Sequence, residues 1–198
     1  MNADVATLVT HPERTALVVI DMQNDFVLPD GPVPAAGAVE IVPRIAEVIA
    51  RARGASLPVV FTMEMHRADK SDFGIELEFE PPHCLEGTQG AEIVDGLRVS
   101  TDDRVIRNKR RYDAFLGTDL DLVLRLVGAE NLIVVGVCTD VCVTSTVQHA
   151  RNMDYRCFVA RDAVAGSTRQ RHDAALSCLE HVFAHVGDAE EIFDVFGI

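Results

Sequence analysis

The sequence predicts an α/β fold in which a parallel sheet carries helices on both faces. Two observations support this prediction: short runs of β-branched and other apolar residues recur along the chain, and segments with helical periodicity separate them. With 198 residues, 48% of them hydrophobic, the chain has the length of one domain and enough apolar side chains for a sizeable core. We therefore expect a single domain over residues 1–198.

Five apolar runs are predicted to form the strands of this sheet. They are Ala16–Ile20, Leu57–Phe61, Val105–Ile106, Leu132–Val135 and Cys157–Ala160. A further segment, Glu191–Phe196, alternates polar and apolar residues, which predicts a last strand.

Three segments between the strands are predicted to be helices. Apolar residues recur at helical spacing over Ala38–Arg53, and Gly54 follows as a stop signal. Thr118 and Asp121 resemble a capping box that opens a helix through Val127. We also expect Thr168–His185 to be a helix, capped by its first residue.

The net charge and the cysteine content indicate which partners are disfavoured and in which cellular compartment we expect the protein. A net charge of -13 disfavours binding to nucleic acid or to an anionic membrane surface. The five cysteines are odd in number and lack CxxC spacing, which argues against a disulfide framework and against a four-thiolate zinc site. Met1–Thr10 has no signal-peptide pattern, and no apolar run approaches the roughly 20 residues of a membrane span. We expect a cytoplasmic protein.

The segment from about Glu64 to Gln89 interrupts the βα alternation. It contains many acidic residues, a Pro81-Pro82 pair and two histidines, and it is long for a connection in a compact domain. It leaves the second predicted strand at its carboxyl end, the edge at which open α/β sheets bind ligands. We therefore expect this excursion to be functional.

Cys142 lies where the fourth apolar run changes to small and polar residues. The surrounding segment, Gly136–Thr146, is typical of a strand that leads directly into a helix. A thiol at a helix N-terminus is favoured as thiolate by the free N–H groups and the positive end of the helix dipole. The sequence therefore predicts a nucleophile at this position.

Asp21 and Lys109 follow two other predicted strands and are expected at the same sheet edge as Cys142. Each residue has a structural alternative, respectively a turn cap, a surface charge and a small buried thiol. A free thiol with a pKa of about 8.5 needs a base or a cation to react at neutral pH. In the joint interpretation, Asp21 takes the thiol proton and Lys109 stabilises the resulting charge.

Three segments resemble the cysteine hydrolase superfamily that includes nicotinamidases, N-carbamoylsarcosine amidases and isochorismatases. The segments are Val19–Phe26, Lys109–Phe115 and Gly136–Thr146. The resemblance covers nearly the whole chain, and the motifs are most similar to those of nicotinamidases. It implies the isochorismatase-like hydrolase fold, a three-layer α/β/α sandwich with a mainly parallel sheet.

The resemblance also assigns roles to the residues of the sheet edge. It implies that Cys142 is the nucleophile, Asp21 the general base and acid, and Lys109 the charge partner. It further implies a cis peptide before Cys138 and an oxyanion site made by the backbone N–H groups of Cys138 and Cys142. We interpret the Cys138 side chain as a packing residue that takes no part in the chemistry. Retention of the thiol favours C–N bond hydrolysis over the chemistry of the isochorismatase branch.

A metal site in the excursion is a further implication of the resemblance to nicotinamidases. The implied ligands are Glu64, His66, Glu76 and His83. Mixed nitrogen and oxygen ligands suit one divalent ion, which we expect to be zinc, with manganese or iron as alternatives. The candidates to replace the Glu76 carboxylate are Asp69, Asp72 and Glu78. The alternative is that the two histidines are ordinary loop residues joined by hydrogen bonds.

The sequence thus predicts an amidase that releases ammonia from a small carboxamide, with nicotinamide as first candidate and without an organic cofactor. The resemblance places Phe26 and Tyr112 against a flat substrate ring, although core packing is an alternative for both. A second interpretation keeps the triad for a carbamoyl, ureido or maleamate-like amide, whose anionic group would meet an arginine. The candidate arginines are Arg67, Arg110 and Arg111. The remaining hypotheses are a noncatalytic metal-binding module and, because oligomers are common among relatives, a homo-oligomer.

Overall fold

The computed structural model describes residues 11–198, which form a six-stranded sheet with helices on both faces. The strands are β1 Thr15–Ile20, β2 Val59–Glu64, β3 Arg104–Lys109, β4 Asn131–Val137, β5 Arg156–Ala165 and β6 Ala184–Gly187. Their order is β3-β2-β1-β4-β5-β6, and every neighbouring pair is parallel. The predicted α/β sandwich is therefore confirmed. Met1–Thr10, for which the sequence predicts no signal peptide, lies outside the described residues.

The central strand β1 supplies both halves of the hydrophobic core. Leu17 and Val19 point into one cluster, whereas Val18 and Ile20 point into the other, because successive strand residues face opposite sides of the sheet. Apart from the one-turn helix Asn24–Val27, the α-helices of the described residues are α1 Ala38–Gly54, α2 Leu120–Leu126, α3 Thr144–Asn152, α4 Arg169–Val182 and α5 Ala189–Phe196. Helices α1 and α5 cover the first cluster, and α2, α3 and α4 cover the second. Each large aliphatic side chain buried in this way contributes about 1.5–3 kcal/mol.

The predicted strand Glu191–Phe196 is wrong, since these residues belong to α5 and the last strand is β6. Asp188 and Glu191 form a capping box that satisfies free N–H groups at the start of the helix. Ile192 and Phe196 are four residues apart and both pack into the core. A spacing of four fits a strand face as well as a helix face, which explains the error.

The two predicted caps have different outcomes. Thr168 caps α4 as expected, because its hydroxyl oxygen accepts the N–H of Arg171 at 3.2 Å, although the helix ends at Val182. The Thr118–Asp121 capping box does not form. Helix α2 begins only at Leu120, and the Asp121 carboxylate accepts hydrogen bonds from two side chains elsewhere.

A register shift between β2 and β3 changes which side chains lie next to each other at the carboxyl end of these strands. Thr62 lies opposite Ile106, but Glu64 lies opposite Lys109, so β3 contains one residue more than β2 over this stretch. Because side-chain direction alternates along a strand, an extra residue reverses the face on which the following side chain lies. Lys109 is thereby brought beside Glu64.

None of the helices within residues 11–198 has the length and apolar character needed to cross a membrane. All five cysteines are free thiols.

We expect Gly136→Ala to lower the free energy of unfolding by about 2–4 kcal/mol, measured by urea denaturation. Gly136 has a φ of +116°, and an added methyl group would overlap the carbonyl oxygen of Ile20 on the neighbouring strand. Gly54→Ala is the matched control, because no atom lies within 4 Å of the position that its methyl group would take. Equal stability of the two variants would contradict the proposed close approach of β1 and β4.

Candidate active site

The carboxyl ends of four adjacent strands bring Asp21, Glu64, Lys109 and Cys142 together in the interior. Lys109 Nζ lies 2.6 Å from Asp21 Oδ2 and 2.7 Å from Glu64 Oε2. The same nitrogen lies 3.5 Å from Cys142 Sγ. The ammonium is therefore surrounded by two carboxylates and the thiol. The structure places the three predicted catalytic residues in one group and adds Glu64 to it.

The charges in this group set the protonation of its members. Burial disfavours the ammonium of Lys109, but the adjacent Asp21 and Glu64 outweigh burial and raise the pKa of Lys109 well above its usual range. Burial also raises the pKa of Asp21, and the charge of Lys109 only partly offsets it. For Glu64 the balance is opposite, because Lys109 and the neighbouring histidines hold its pKa well below its usual range despite burial.

The resting state of Cys142 differs from the sequence expectation. Burial raises the pKa of the Cys142 thiol well above its usual range, and the charge of Lys109 does not compensate. The expectation that a helix N-terminus favours the thiolate is therefore wrong for the resting state. The raised pKa favours the protonated thiol, and a thiol reacts as a nucleophile only after a base has taken its proton.

The backbone around Cys142 departs from a simple junction between strand and helix. A π-helical turn, Thr139–Val143, separates β4 from α3, and such turns are frequent at functional sites. The Val137–Cys138 peptide is cis, as the resemblance implies. The Cys138 N–H donates none of the hydrogen bonds found between residues 11 and 198, so this donor is free for an oxyanion.

Two residues that the sequence analysis did not single out hold the group in place. Asp21 has a left-handed φ of 47°, a conformation that costs roughly 1–2 kcal/mol for a residue other than glycine. Thr62 stabilises it by accepting the Asp21 N–H at 3.2 Å and donating its hydroxyl to Asp21 Oδ1 at 2.6 Å. Gln23 donates to the carbonyl of Glu64 at 2.7 Å and accepts its N–H at 2.8 Å. In the sequence, Thr62 is a polar residue directly after the apolar run Leu57–Phe61, and this position could have indicated a role at the sheet edge.

The four predicted metal ligands form a second buried group beside the first. Each offers one ligand atom, and these atoms all lie within 4.8 Å of one another. Glu64 Oε1 lies 3.1 Å from His66 Nε2 and 3.5 Å from His83 Nε2. Glu76 Oε1 lies 3.6 Å from His83 Nε2.

Glu76 provides the test of whether these residues fit a metal ion. Both of its carboxylate oxygens are buried and accept no hydrogen bond from the described part of the chain. A buried carboxylate without donors is strongly disfavoured unless a cation lies beside it. The two nitrogen and two oxygen donors suit zinc, manganese or iron. The group therefore fits a divalent ion.

Neighbouring side chains orient both histidine rings. His83 Nδ1 donates to the carbonyl of Pro81 at 2.8 Å, which leaves the Nε2 lone pair directed into the group. The His66 ring stacks on Phe73, and its Nδ1 lies 3.4 Å from Asp72. This pattern is typical of metal-binding histidines, whose second nitrogen contacts a carbonyl or a carboxylate.

The other carboxylates considered from the sequence lie outside this group. Asp72 contacts the outer nitrogen of His66, whereas Asp69 and Glu78 are exposed. Asp113, which follows Lys109 closely in the sequence, is paired with His149 at 2.5 Å.

A small cavity of about 130 Å³ opens above Cys142. Its lining residues are Phe26, Val33, Pro34, Glu80, Tyr112, Val137, Cys138, Val141, Cys142 and Ser167. This volume corresponds to roughly four water molecules, so the cavity suits a small molecule and not a peptide. The Phe26 ring also lies 5.3 Å from the His83 ring, which connects the cavity wall to the metal group.

The three arginines considered for an anionic substrate do not line this cavity. Arg110 pairs with Asp72 at 2.9 Å, and Arg111 donates to the carbonyl of Asp72, also at 2.9 Å. Arg67 is exposed.

We expect Lys109→Met to lower the free energy of unfolding by about 3–5 kcal/mol, because two buried carboxylates would lose their only ammonium partner. Chemical denaturation measures this change. Adding Glu64→Gln should recover part of the loss, since it removes one of the uncompensated charges. Lys70 is the other lysine of the chain and is exposed, so Lys70→Met should change the free energy of unfolding by less than about 0.5 kcal/mol. A loss at Lys109 no larger than that at Lys70 would contradict the ion-pair arrangement.

Curated relatives match most of the chain. A probable inactive nicotinamidase of Arabidopsis thaliana is 34% identical over 85% of this chain and 89% of its own length. Nicotinamidase 3 of the same plant is 32% identical over 89% of this chain and 86% of its own length. A ureidoacrylate amidohydrolase of Methylobacterium radiotolerans is 28% identical over 94% of this chain and 81% of its own length.

Solved structures show the same fold. An isochorismatase family protein from Desulfovibrio vulgaris superposes with a TM-score of 0.87 at 34% identity, over 94% of this chain and 100% of that one. A pyrazinamidase of Pyrococcus horikoshii, solved in complex with zinc, has a TM-score of 0.81 at 29% identity, over 88% of this chain and 99% of that one. The family model of the isochorismatase domain matches residues 15–191. With this match and these relatives, the chain belongs to the isochorismatase family.

Proposed function

We propose that this protein is a thiol-dependent amidohydrolase that converts a small carboxamide, nicotinamide in the first instance, to the acid and ammonia. The observation that carries the proposal is the position of Cys142 at the base of a small apolar cavity, with Lys109 Nζ 3.5 Å from its sulfur. Asp21 and Glu64 lie in the same buried group. The nicotinamidases among the relatives support this choice of substrate.

The first half of the reaction forms a thioester. Asp21 takes the Cys142 proton, and Sγ attacks the amide carbonyl carbon. The carbonyl oxygen acquires negative charge and accepts the backbone N–H groups of Cys138 and Cys142. Lys109 stabilises the negative charge that moves between the sulfur and Asp21.

Glu64 also lies near the sulfur, at 3.9 Å, but it is a poorer base than Asp21. Its pKa lies well below the usual range because of Lys109 and the histidines, whereas burial raises the pKa of Asp21. A carboxylate with the higher pKa accepts the thiol proton more readily. We therefore assign the base to Asp21.

Loss of ammonia completes the thioester, and hydrolysis of the thioester then releases the acid. Asp21 returns the proton to the amide nitrogen, the C–N bond breaks and ammonia leaves. A water molecule then attacks the thioester, with Asp21 as base, and the carboxylic acid departs as the thiol of Cys142 is restored.

The second buried group would hold a divalent ion through Glu64, His66, Glu76 and His83. When bound, such an ion supplies a Lewis-acidic position that can bind a ring nitrogen of the substrate. Phe26 and Tyr112 both line the cavity and are suited to contact the faces of a flat ring. Together they would hold the carboxamide against Cys142.

Two alternatives use the same structure differently. Hydrolysis of a carbamoyl, ureido or maleamate-like amide is supported by the ureidoacrylate amidohydrolase among the relatives. A noncatalytic metal-binding module is supported by the relative named as probably inactive. The grouped Asp21, Lys109 and Cys142 favour an enzyme, and the positions of the arginines favour an uncharged substrate.

We expect the metal-loaded protein to release ammonia from nicotinamide and Cys142→Ala to reduce kcat/KM by more than about a thousandfold. The matched control is Cys138→Ala, which removes another thiol of the same cavity but keeps its backbone N–H. We expect the control to stay within about tenfold of the wild type. An equal loss in both variants, or turnover that survives Cys142→Ala, would contradict a nucleophilic role for Cys142.

Elemental analysis should find about one divalent ion per chain after gentle purification, and His83→Ala should lose most of it. His181→Ala is the control, since His181 is exposed and outside the buried group. Absence of metal from the wild type, without uptake on dialysis against zinc, manganese or iron, would contradict the metal site.

A further inference from the structure

Glu80 is the only residue with a charged side chain among the described residues that line the cavity. It is half-buried and follows the 3₁₀ turn that contains Glu76, to whose carbonyl oxygen the Glu80 N–H donates at 3.0 Å. None of the ion pairs within residues 11–198 includes the Glu80 carboxylate. The proposed catalytic steps do not use it.

Arg171 lies in the same surface region as Glu80 but forms no ion pair with it. Glu80 also lines a shallow depression outside the cavity, together with Asp140, Ser167 and Arg171. The exposed Arg171 donates to Ser167 Oγ at 3.2 Å, and that hydroxyl donates to Asp140 at 2.5 Å. Arg171 is thus held on the outer side of Ser167, and the Glu80 carboxylate, which forms no ion pair within residues 11–198, lines the cavity itself.

Tyr112, on the cavity wall, is surrounded by several negative side chains. Burial, then Glu76 and Glu80, raise the pKa of Tyr112 to about 12. Beneath the cavity, the single ammonium of Lys109 is already paired with two carboxylates. An anion that enters the cavity thus meets fixed negative charge in a site with mostly apolar walls, where Coulomb interactions are stronger than in water.

The chemistry of amide hydrolysis gives this charge a consequence. The substrate carboxamide is uncharged, whereas the product is a carboxylate. A fixed negative charge at the cavity leaves the binding of the amide nearly unaffected but weakens the binding of the acid. The same repulsion acts on any substrate that carries a second, anionic group.

We propose that Glu80 is a specificity-determining residue that selects uncharged carboxamides over anionic ones and promotes release of the acid product. This inference rests on the proposed amidohydrolase function and identifies the charge class of its substrate. It assigns Glu80 to recognition, since no proton or bond of the reaction passes through this side chain.

Equilibrium binding tests the inference without turnover. We would measure dissociation constants of nicotinate and nicotinamide by calorimetry on metal-loaded Cys142→Ala protein, with and without Glu80→Gln. We expect Glu80→Gln to lower the ratio of the nicotinate constant to the nicotinamide constant by about five- to tenfold, and Glu80→Lys to lower it further. The decrease should shrink as ionic strength rises, because salt screens charge effects but not shape effects.

Glu78→Gln is the matched control. Glu78 lies in the same acidic segment but is exposed and does not line the cavity. Its replacement should leave the ratio within about twofold of the parent value. Urea unfolding of each variant verifies that the proteins compared are folded.

Kinetics with matched substrates provide a second measurement. Benzene-1,3-dicarboxamide and 3-carbamoylbenzoate differ by one anionic group on the same ring. In proteins that retain Cys142, Glu80→Gln should raise kcat/KM for the anionic substrate relative to the neutral one by about five- to tenfold. Product inhibition by nicotinate should strengthen in the same variant.

The outcomes separate this inference from the proposed function. A binding ratio that stays within about twofold in both Glu80→Gln and Glu80→Lys overturns the role of Glu80, whether or not the protein hydrolyses amides. Absence of ammonia release from every amide tried, with acid and amide still distinguished through Glu80, overturns the proposed function alone. A shift caused equally by Glu78→Gln also overturns the inference, because it would show a general surface-charge effect.

Discussion

The buried ammonium of Lys109 is the interaction on which the rest of the site depends. Taking a charge out of water costs several kcal/mol, so Asp21 and Glu64 are tolerated in the interior only because Lys109 lies between them. These contacts join the ends of β1, β2 and β3, and the thiol of Cys142 approaches the same nitrogen from β4. One ion-pair network therefore sets both the local stability of the sheet edge and the protonation of the nucleophile.

Glu64 connects the two chemical groups of the molecule. One carboxylate oxygen contacts Lys109, and the other faces His66 and His83. A charge change in either group is therefore transmitted to the other through a single side chain. The side chain of Glu64 is long enough to make both sets of contacts. This arrangement explains why the pKa of Glu64 is lowered while burial raises the pKa of the neighbouring Asp21.

Charge and apolar surface act together in the cavity. The walls near Phe26, Val137 and Val141 are apolar, and Coulomb interactions are stronger beside apolar walls than in water. Lys109 is neutralised by its partners, and Arg110 and Arg111, which follow β3, contact Asp72 through its carboxylate or its backbone carbonyl. Glu80 is consequently the charged side chain among the residues that line the cavity, which is the basis of the proposed preference for a neutral amide.

The sequence by itself determined five of the six strands, most helices and the residue types at the strand ends, but it missed β6. These features depend on local periodicity and on the rule that parallel strands end at a common edge, so Asp21, Lys109 and Cys142 could be grouped without a structure. The same periodicity misassigned Glu191–Phe196, because a spacing of four residues fits both strand and helix.

Only the tertiary structure decided how the side chains meet. The extra residue in β3 turns Lys109 toward Glu64, and Gln23 and Thr62 fix backbone that is distant in sequence. Burial also reversed the expected state of Cys142, since desolvation outweighs the effect of a nearby cation and a helix end. Strand register and burial are properties of the packed chain as a whole, and no local pattern of residues specifies them.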